Sequence, residues 1–137
     1  MATLKDLYIV IAEDDADDSE MIHQSFLSHP AFSKITMVKN GRELLDLLCN
    51  NDEKKPDIVL TDINMPLING IEALKAIQKD LILKDIATFA YSTSTTALYI
   101  NKCLEFGALF FFIKSVVAEH FDEIPVKLHQ ILEQQLE

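Results

Sequence analysis

Apolar residues along this chain fall into two alternating patterns. Short, nearly continuous apolar runs at 7–12, 35–39, 58–62, 86–91 and 109–113 predict strands, because a strand covered on both faces has no polar alternation. Between the runs, apolar residues recur three and four apart, the spacing of one helix face. Ile22 and Phe26 mark a helix over 16–28, and Leu44, Leu45, Leu47 and Leu48 one over 42–49, dense enough in leucine to predict deep burial. Ile71, Leu74 and Ile77 mark a third helix ending near Lys79-Asp80, and Ile100, Cys103 and Leu104 a fourth before Gly107. Pro125 constrains the last helix, since an interior proline costs about 3 kcal/mol while one in the first turn is tolerated. That helix is therefore placed at 122–135, with Asp122 as its cap.

Five strands alternating with five helices predict an α/β fold, a parallel sheet covered on both faces with right-handed crossovers. The flavodoxin-like, doubly wound strand order 2-1-3-4-5 is the expectation for such a sheet, and it sets strand one beside strand three. Ligands of these folds bind past the carboxyl ends of the strands at that switch point. A chain of 137 residues, 49% of them hydrophobic, has enough apolar surface for one core and too little for two. A single domain spanning 1–137 with no output domain is expected.

Two of the predicted strands end on carboxylates. Strand three stops at Asp62, and Met65-Pro66 prevents its continuation. Strand one stops at Glu13-Asp14-Asp15. A lone aspartate here would read as a turn residue bonding its own backbone. Asp15 suits the cap of the following helix, and Asp17 and Asp18 its positive end. Glu13 and Asp14 remain at the strand tip. With strands one and three adjacent, Glu13, Asp14 and Asp62 converge, and like charges that close raise one another's pKa unless a cation is shared. Mg²⁺, a hard ion satisfied by one or two carboxylates plus water or phosphate, is the natural guest.

The net charge of −10 and the lack of any Lys/Arg cluster disfavour binding to nucleic acid or to an anionic membrane. The first residues carry no signal-peptide core, and the longest apolar run, 108–113, is far below a membrane span. A cytoplasmic protein is expected. Cys49 and Cys103 have no metal-ligand spacing and read as reduced thiols on helices, and His23, His29, His120 and His129 form no ligand pattern.

Glu13-Asp14 after the first strand, Asp62 after the third, Ser92 after the fourth and Lys114 after the fifth resemble the receiver domain of bacterial two-component response regulators. The resemblance runs from about Tyr8 to the last helix. It implies that Asp62 accepts a phosphoryl group from a histidine kinase or phosphotransfer protein. It further implies Mg²⁺ held by Asp14, Asp62 and the backbone carbonyl of Asn64, with Glu13 acting through water. Lys114 would pair with a phosphoryl oxygen, and Ser92 would hydrogen-bond the phosphoryl group and shift with an aromatic residue, here Phe111. A helix 4, strand 5, helix 5 face would then signal to another protein, a second copy of the chain being one possibility.

The chain departs from the family pattern at three points. Phe111 lacks the hydroxyl of the tyrosine often found there. Lys114-Ser115 replaces Lys-Pro, whose peptide is cis in the family; before serine a cis bond costs about 2.5–4 kcal/mol, so trans is expected. Thr93 stands where a small residue is common. Lys-Ser is similar to the regulators paired with bacterial phytochromes. Three other readings compete. Asp15-Ala16-Asp17-Asp18-Ser19 faintly echoes the motif of haloacid-dehalogenase-like phosphatases but leaves Asp62 without a role. A calcium loop counted from Asp15 fails at Glu20 and Phe26, where glycine and glutamate are needed. A phosphate sink, or an interaction module that never takes phosphate, would share the fold.

Overall fold

A computed structural model describes residues 4–93, 96–114 and 121–135. The chain alternates β1 (Leu7–Ala12), α1 (Ala16–Leu27), β2 (Phe32–Val38), α2 (Gly41–Cys49), β3 (Ile58–Asp62), α3 (Gly70–Lys79), β4 (Ala87–Ser92), α4 (Ala97–Glu105), β5 (Ala108–Ile113) and α5 (Glu123–Gln135). The strands form one parallel sheet in the order β2-β1-β3-β4-β5, the flavodoxin-like arrangement expected from the sequence.

Side-chain alternation along the strands divides the core into layers. Ile9, Ile11, Ile58, Leu60, Phe89, Tyr91 and Phe112 pack with Ile22 and Phe26 of α1 and Ile124 and Leu128 of α5. On the opposite face Val10, Ala12 and Val59 meet Leu44 and Leu48 of α2 and Ala73 and Ile77 of α3. Ala90 and Phe111 meet Leu74 of α3 and Cys103 of α4. The central strands β1 and β3 are buried at every residue, which is why they show no polar alternation.

The differences from the sequence reading have local causes. β2 begins at Phe32 rather than 35, because Phe32 pairs with Leu7 and a register irregularity follows between Leu7 and Tyr8; Ser33 and Lys34 face solvent on this edge strand, which hides them from an apolar search. Of the four α2 leucines, Leu44 and Leu48 are fully buried and Leu45 and Leu47 half-buried, since a helix lying on a sheet buries one stripe. Asp122 precedes α5 and accepts a hydrogen bond from the Ser25 hydroxyl at 2.7 Å, tying α1 to α5. Ser92 is the last residue of β4, and the N-cap position of α4 is Thr96. Pro125 sits in the first turn of α5, where it is tolerated. Cys49 is exposed and Cys103 buried, both unbonded. Among the described residues no helix is long and apolar enough to cross a membrane.

Candidate functional site

Each residue of the site is delivered by a strand end. β3 ends on Asp62, and the next segment is held close by Gly70, whose N–H donates to the Ile63 carbonyl at 3.2 Å. A Cβ on Gly70 would lie 2.2 Å from the Asp62 carbonyl oxygen, so only glycine lets α3 start this near the strand tip. Asn69 caps α3 and forms a reciprocal capping box with Glu72. The backbone ladder continues one residue past β1 and β5: Glu13 N–H donates to the Val38 carbonyl at 2.9 Å, and Lys114 N–H to the Ser92 carbonyl at 2.8 Å. Glu13, Asp62 and Lys114 thereby project toward one another from the layer shared with α1 and α5.

The Lys114 ammonium is the hub. Its Nζ lies 2.6 Å from Glu13 Oε1, 2.8 Å from Asp62 Oδ2 and 3.1 Å from Asp18 Oδ2. Asp62 Oδ1 accepts the N–H of Asn64 at 3.0 Å. Glu13 is 1% exposed, and both its oxygens are engaged. Oε1 also accepts the Tyr91 hydroxyl at 2.5 Å, and Oε2 accepts the Asp15 N–H at 3.2 Å. Burial lifts the Glu13 carboxyl to about 7, against the pull of Lys114 and Tyr91 in the other direction. Burial would lower Lys114, but its hydrogen bonds to Asp62 and Glu13 prevail and raise it. Burial, reinforced by the Glu13 charge, pushes the Tyr91 hydroxyl well above its ordinary value.

Glu13, Asp14 and Asp62 each offer a carboxylate oxygen within 4.8 Å of the others. Glu13, Asp18 and Asp62 share the Lys114 ammonium, and Asp14 adds a further carboxylate to the cluster, an excess of negative charge in oxygen donors that fits a hard divalent cation. Asp14 is exposed at the rim. Ser92 closes β4 and is buried, two residues after Ala90 and so on the same face, where Ala90 packs with the buried Phe111, Leu74 of α3 and Cys103 of α4. Ser115, and with it the Lys114-Ser115 peptide, lies outside the described residues. Asp15 caps α1 by accepting the Asp18 N–H at 2.8 Å, the capping role its position in the sequence suggests.

Two participants escape the sequence reading. Asp18 reads there as a helix-end charge, yet one turn of α1 carries it to Lys114. Tyr91 reads as strand core, yet its ring lies under the Lys114 ammonium, 4.6 Å from Nζ to centroid. The available signal for Tyr91 was parity: it pairs with Asp62 across the β3–β4 register, so the two share a face.

In this doubly wound sheet the carboxylates and the lysine stand at the carboxyl ends of the strands, where such folds bind their ligands. Residues 9–124 match the response regulator receiver domain, and the chain belongs to that family. The two-component response regulator ORR5 of Oryza sativa subsp. japonica is 33% identical over 107 residues, covering 78% of this chain and 78% of the rice protein. The fold is shared with the phosphorylated cyanobacterial phytochrome response regulator RcpA (TM-score 0.80, 24% identity, 86% of this chain and 87% of that one). It is shared as well with the Mn(2+)-bound form of response regulator Rcp1 (TM-score 0.80, 20% identity, 86% and 88% covered). The family is a signalling module of two-component systems rather than a turnover enzyme, and its members work with histidine kinases or phosphotransfer proteins.

Proposed function

We propose that this chain is a receiver that takes a phosphoryl group on Asp62 from a histidine kinase or phosphotransfer protein, in the cytoplasm, and passes the signal on by protein contacts. The observation that carries the reading is the convergence of Asp62 with Glu13, Asp14 and Lys114 at the carboxyl end of the sheet. An Asp62 carboxylate oxygen attacks phosphorus, a new P–O bond forms, and the donor's P–N or P–O bond breaks with its electron pair leaving on the donor. The protein performs no covalent work beyond this, so its task is positioning and charge neutralisation.

Asp14, Asp62 and the Asn64 carbonyl are the residues that would hold Mg²⁺, with Glu13 acting through water. The ion when bound supplies charge neutralisation at the transferring phosphoryl group. Lys114 serves the same end from the other side by turning its donors from carboxylates to a phosphoryl oxygen. Ser92, at the tip of β4, supplies a hydroxyl to the phosphoryl group. Its movement leaves room for Phe111, and the face of α4, β5 and α5 changes shape for a partner or for a second copy of the chain.

The test is the intact mass after incubation with acetyl phosphate and Mg²⁺. One added phosphoryl group is expected, lost in Asp62→Asn and absent when the divalent cation is chelated. Continued gain of mass by Asp62→Asn would move the nucleophile elsewhere. Catalytic turnover of a phosphomonoester would favour the phosphatase reading instead.

A further inference from the structure

The buried network holds one group that phosphoryl acceptance as proposed above does not use, the Tyr91 hydroxyl. Tyr91 is fully buried, as is Phe89 two residues earlier on the same face. Phe89 fills the layer without a hydroxyl, so packing alone does not call for one at 91. A buried hydroxyl needs a partner, and this one donates to Glu13 Oε1, the oxygen that also receives Lys114.

We propose that Tyr91 is a positioning residue that sets how readily Lys114 leaves Glu13 for the phosphoryl group; the proposal rests on the reading of Asp62 as the acceptor. An ammonium has three donors, and those of Lys114 face Glu13, Asp18 and Asp62. Reaching a phosphoryl oxygen requires at least one of them to turn away. Glu13 is buried, and a buried carboxylate stripped of its donors is strongly disfavoured. With Tyr91 present, the departure of Lys114 leaves Oε1 bonded to the tyrosine hydroxyl and Oε2 to the Asp15 N–H. Each oxygen keeps a donor. The ring adds a second effect: Lys114 Nζ lies 4.6 Å from the ring centroid, so the ammonium turns over a π face that attracts cations instead of an aliphatic wall. Without the hydroxyl, Glu13 would hold Lys114 as its main remaining partner, and the lysine would be slow to serve the phosphoryl group.

The experiment compares the unsubstituted chain, Tyr91→Phe, Lys114→Met and the double variant. It measures phosphorylation by acetyl phosphate from the time course of intact mass, affinity for beryllofluoride with Mg²⁺, and affinity for Mg²⁺ alone. Tyr91→Phe is expected to slow phosphorylation and weaken beryllofluoride binding about tenfold, the size of a coupling between contacting residues. Mg²⁺ affinity should stay within about twofold, and Tyr91→Phe should add nothing in the Lys114→Met background. An unchanged rate in Tyr91→Phe overturns the proposal, as does equal slowing with and without Lys114, or a loss of Mg²⁺ affinity as large as the loss of rate. A second measurement needs no variant: the Tyr91 hydroxyl proton, followed by NMR, should stay protected from exchange both with and without beryllofluoride, and its loss on addition would equally overturn the idea. An unsubstituted chain that takes no phosphoryl group removes the acceptor reading itself, whereas a phosphorylated chain indifferent to Tyr91→Phe removes only the positioning.

Discussion

Asp18 on α1 and Lys114 beyond β5, 96 positions apart in sequence, meet at 3.1 Å between Oδ2 and Nζ. The contact pins the first helix to the end of the last strand and engages Asp18 with the lysine rather than with the rim of the acidic pocket. Asp14, by contrast, lies within the carboxylate cluster. Calorimetric titration with Mg²⁺ is therefore expected to show Asp14→Ala weakened by about tenfold or more and Asp18→Ala much less, a tenfold loss corresponding to about 1.4 kcal/mol. Asp18→Ala should cost stability instead, by about 0.2–1 kcal/mol, the range of partly exposed ion pairs. Equal losses of metal affinity in the two variants would show that only overall charge counts.

Gly70 permits the close approach of α3 to the phosphoacceptor strand. In Gly70→Ala the new methyl would meet main-chain atoms, the Asp62 carbonyl oxygen at 2.2 Å and the Ile63 Cα at 2.8 Å, which have no rotamer to escape into. Urea unfolding is expected to show a loss of about 1–3 kcal/mol, the usual cost of overpacking. Phosphorylation by acetyl phosphate should slow as well, since the displaced backbone carries Asp62 itself. A variant as stable and as fast as the original would mean the helix start yields freely.

The pH dependence of stability is expected to carry the signature of Glu13. Its carboxyl titrates at about 7 in the folded chain against 4.5 as the ordinary value, because burial disfavours the charged form. The folded state binds this proton more tightly than the unfolded state. The stability it contributes is thus full below pH 4.5 and is withdrawn as the pH rises through about 7. In metal-free buffer, thermal midpoints at about pH 5 and about pH 8 should differ less in Glu13→Gln than in the unsubstituted chain. Coincident slopes would place the titration on another group.

Leu67 has a backbone φ of 67° with 77% of its surface exposed. A β-carbon in the left-handed region costs roughly 1–2 kcal/mol, and asparagine tolerates that region better than leucine. Leu67→Asn is expected to raise stability in urea by about 0.5–1 kcal/mol, with no apolar contact of note to lose. A fall in the midpoint would show that Leu67 packs against its loop after all.

The strand ends were the most legible part of the chain. Apolar runs that stop on Glu13 and Asp62 announce both the sheet and the acidic pocket, because a parallel strand buried on two faces has nowhere else for polar residues to go. The bounds of β1 came out as Leu7–Ala12 on that reasoning. β2 was harder, since an edge strand need not be apolar, and Ser33 and Lys34 look like loop. The partners of Lys114 could not be counted from spacing at all. Asp18 reaches it through one helical turn and the packing of α1 on the sheet, and Tyr91 through register with Asp62, both of them long-range facts. The lysine that joins the carboxylates lies far from them in sequence, at the end of β5.

Tyr91 and Ser92 are consecutive on β4, and the pleat sends them to opposite faces, the tyrosine to Glu13 and Lys114 and the serine to the face on which Ala90 packs with Phe111 and Cys103. One peptide unit thus separates the residues that would receive the chemical event from those that would report it. In a genetic screen the two layers should yield different phenotypes. Substitutions beside Tyr91, on the α1 and α5 side, should give alleles that respond weakly to the kinase but still signal when activated by other means. Substitutions beside Ser92, on the α3 and α4 side, should give alleles that are phosphorylated normally yet silent, or that signal without their kinase.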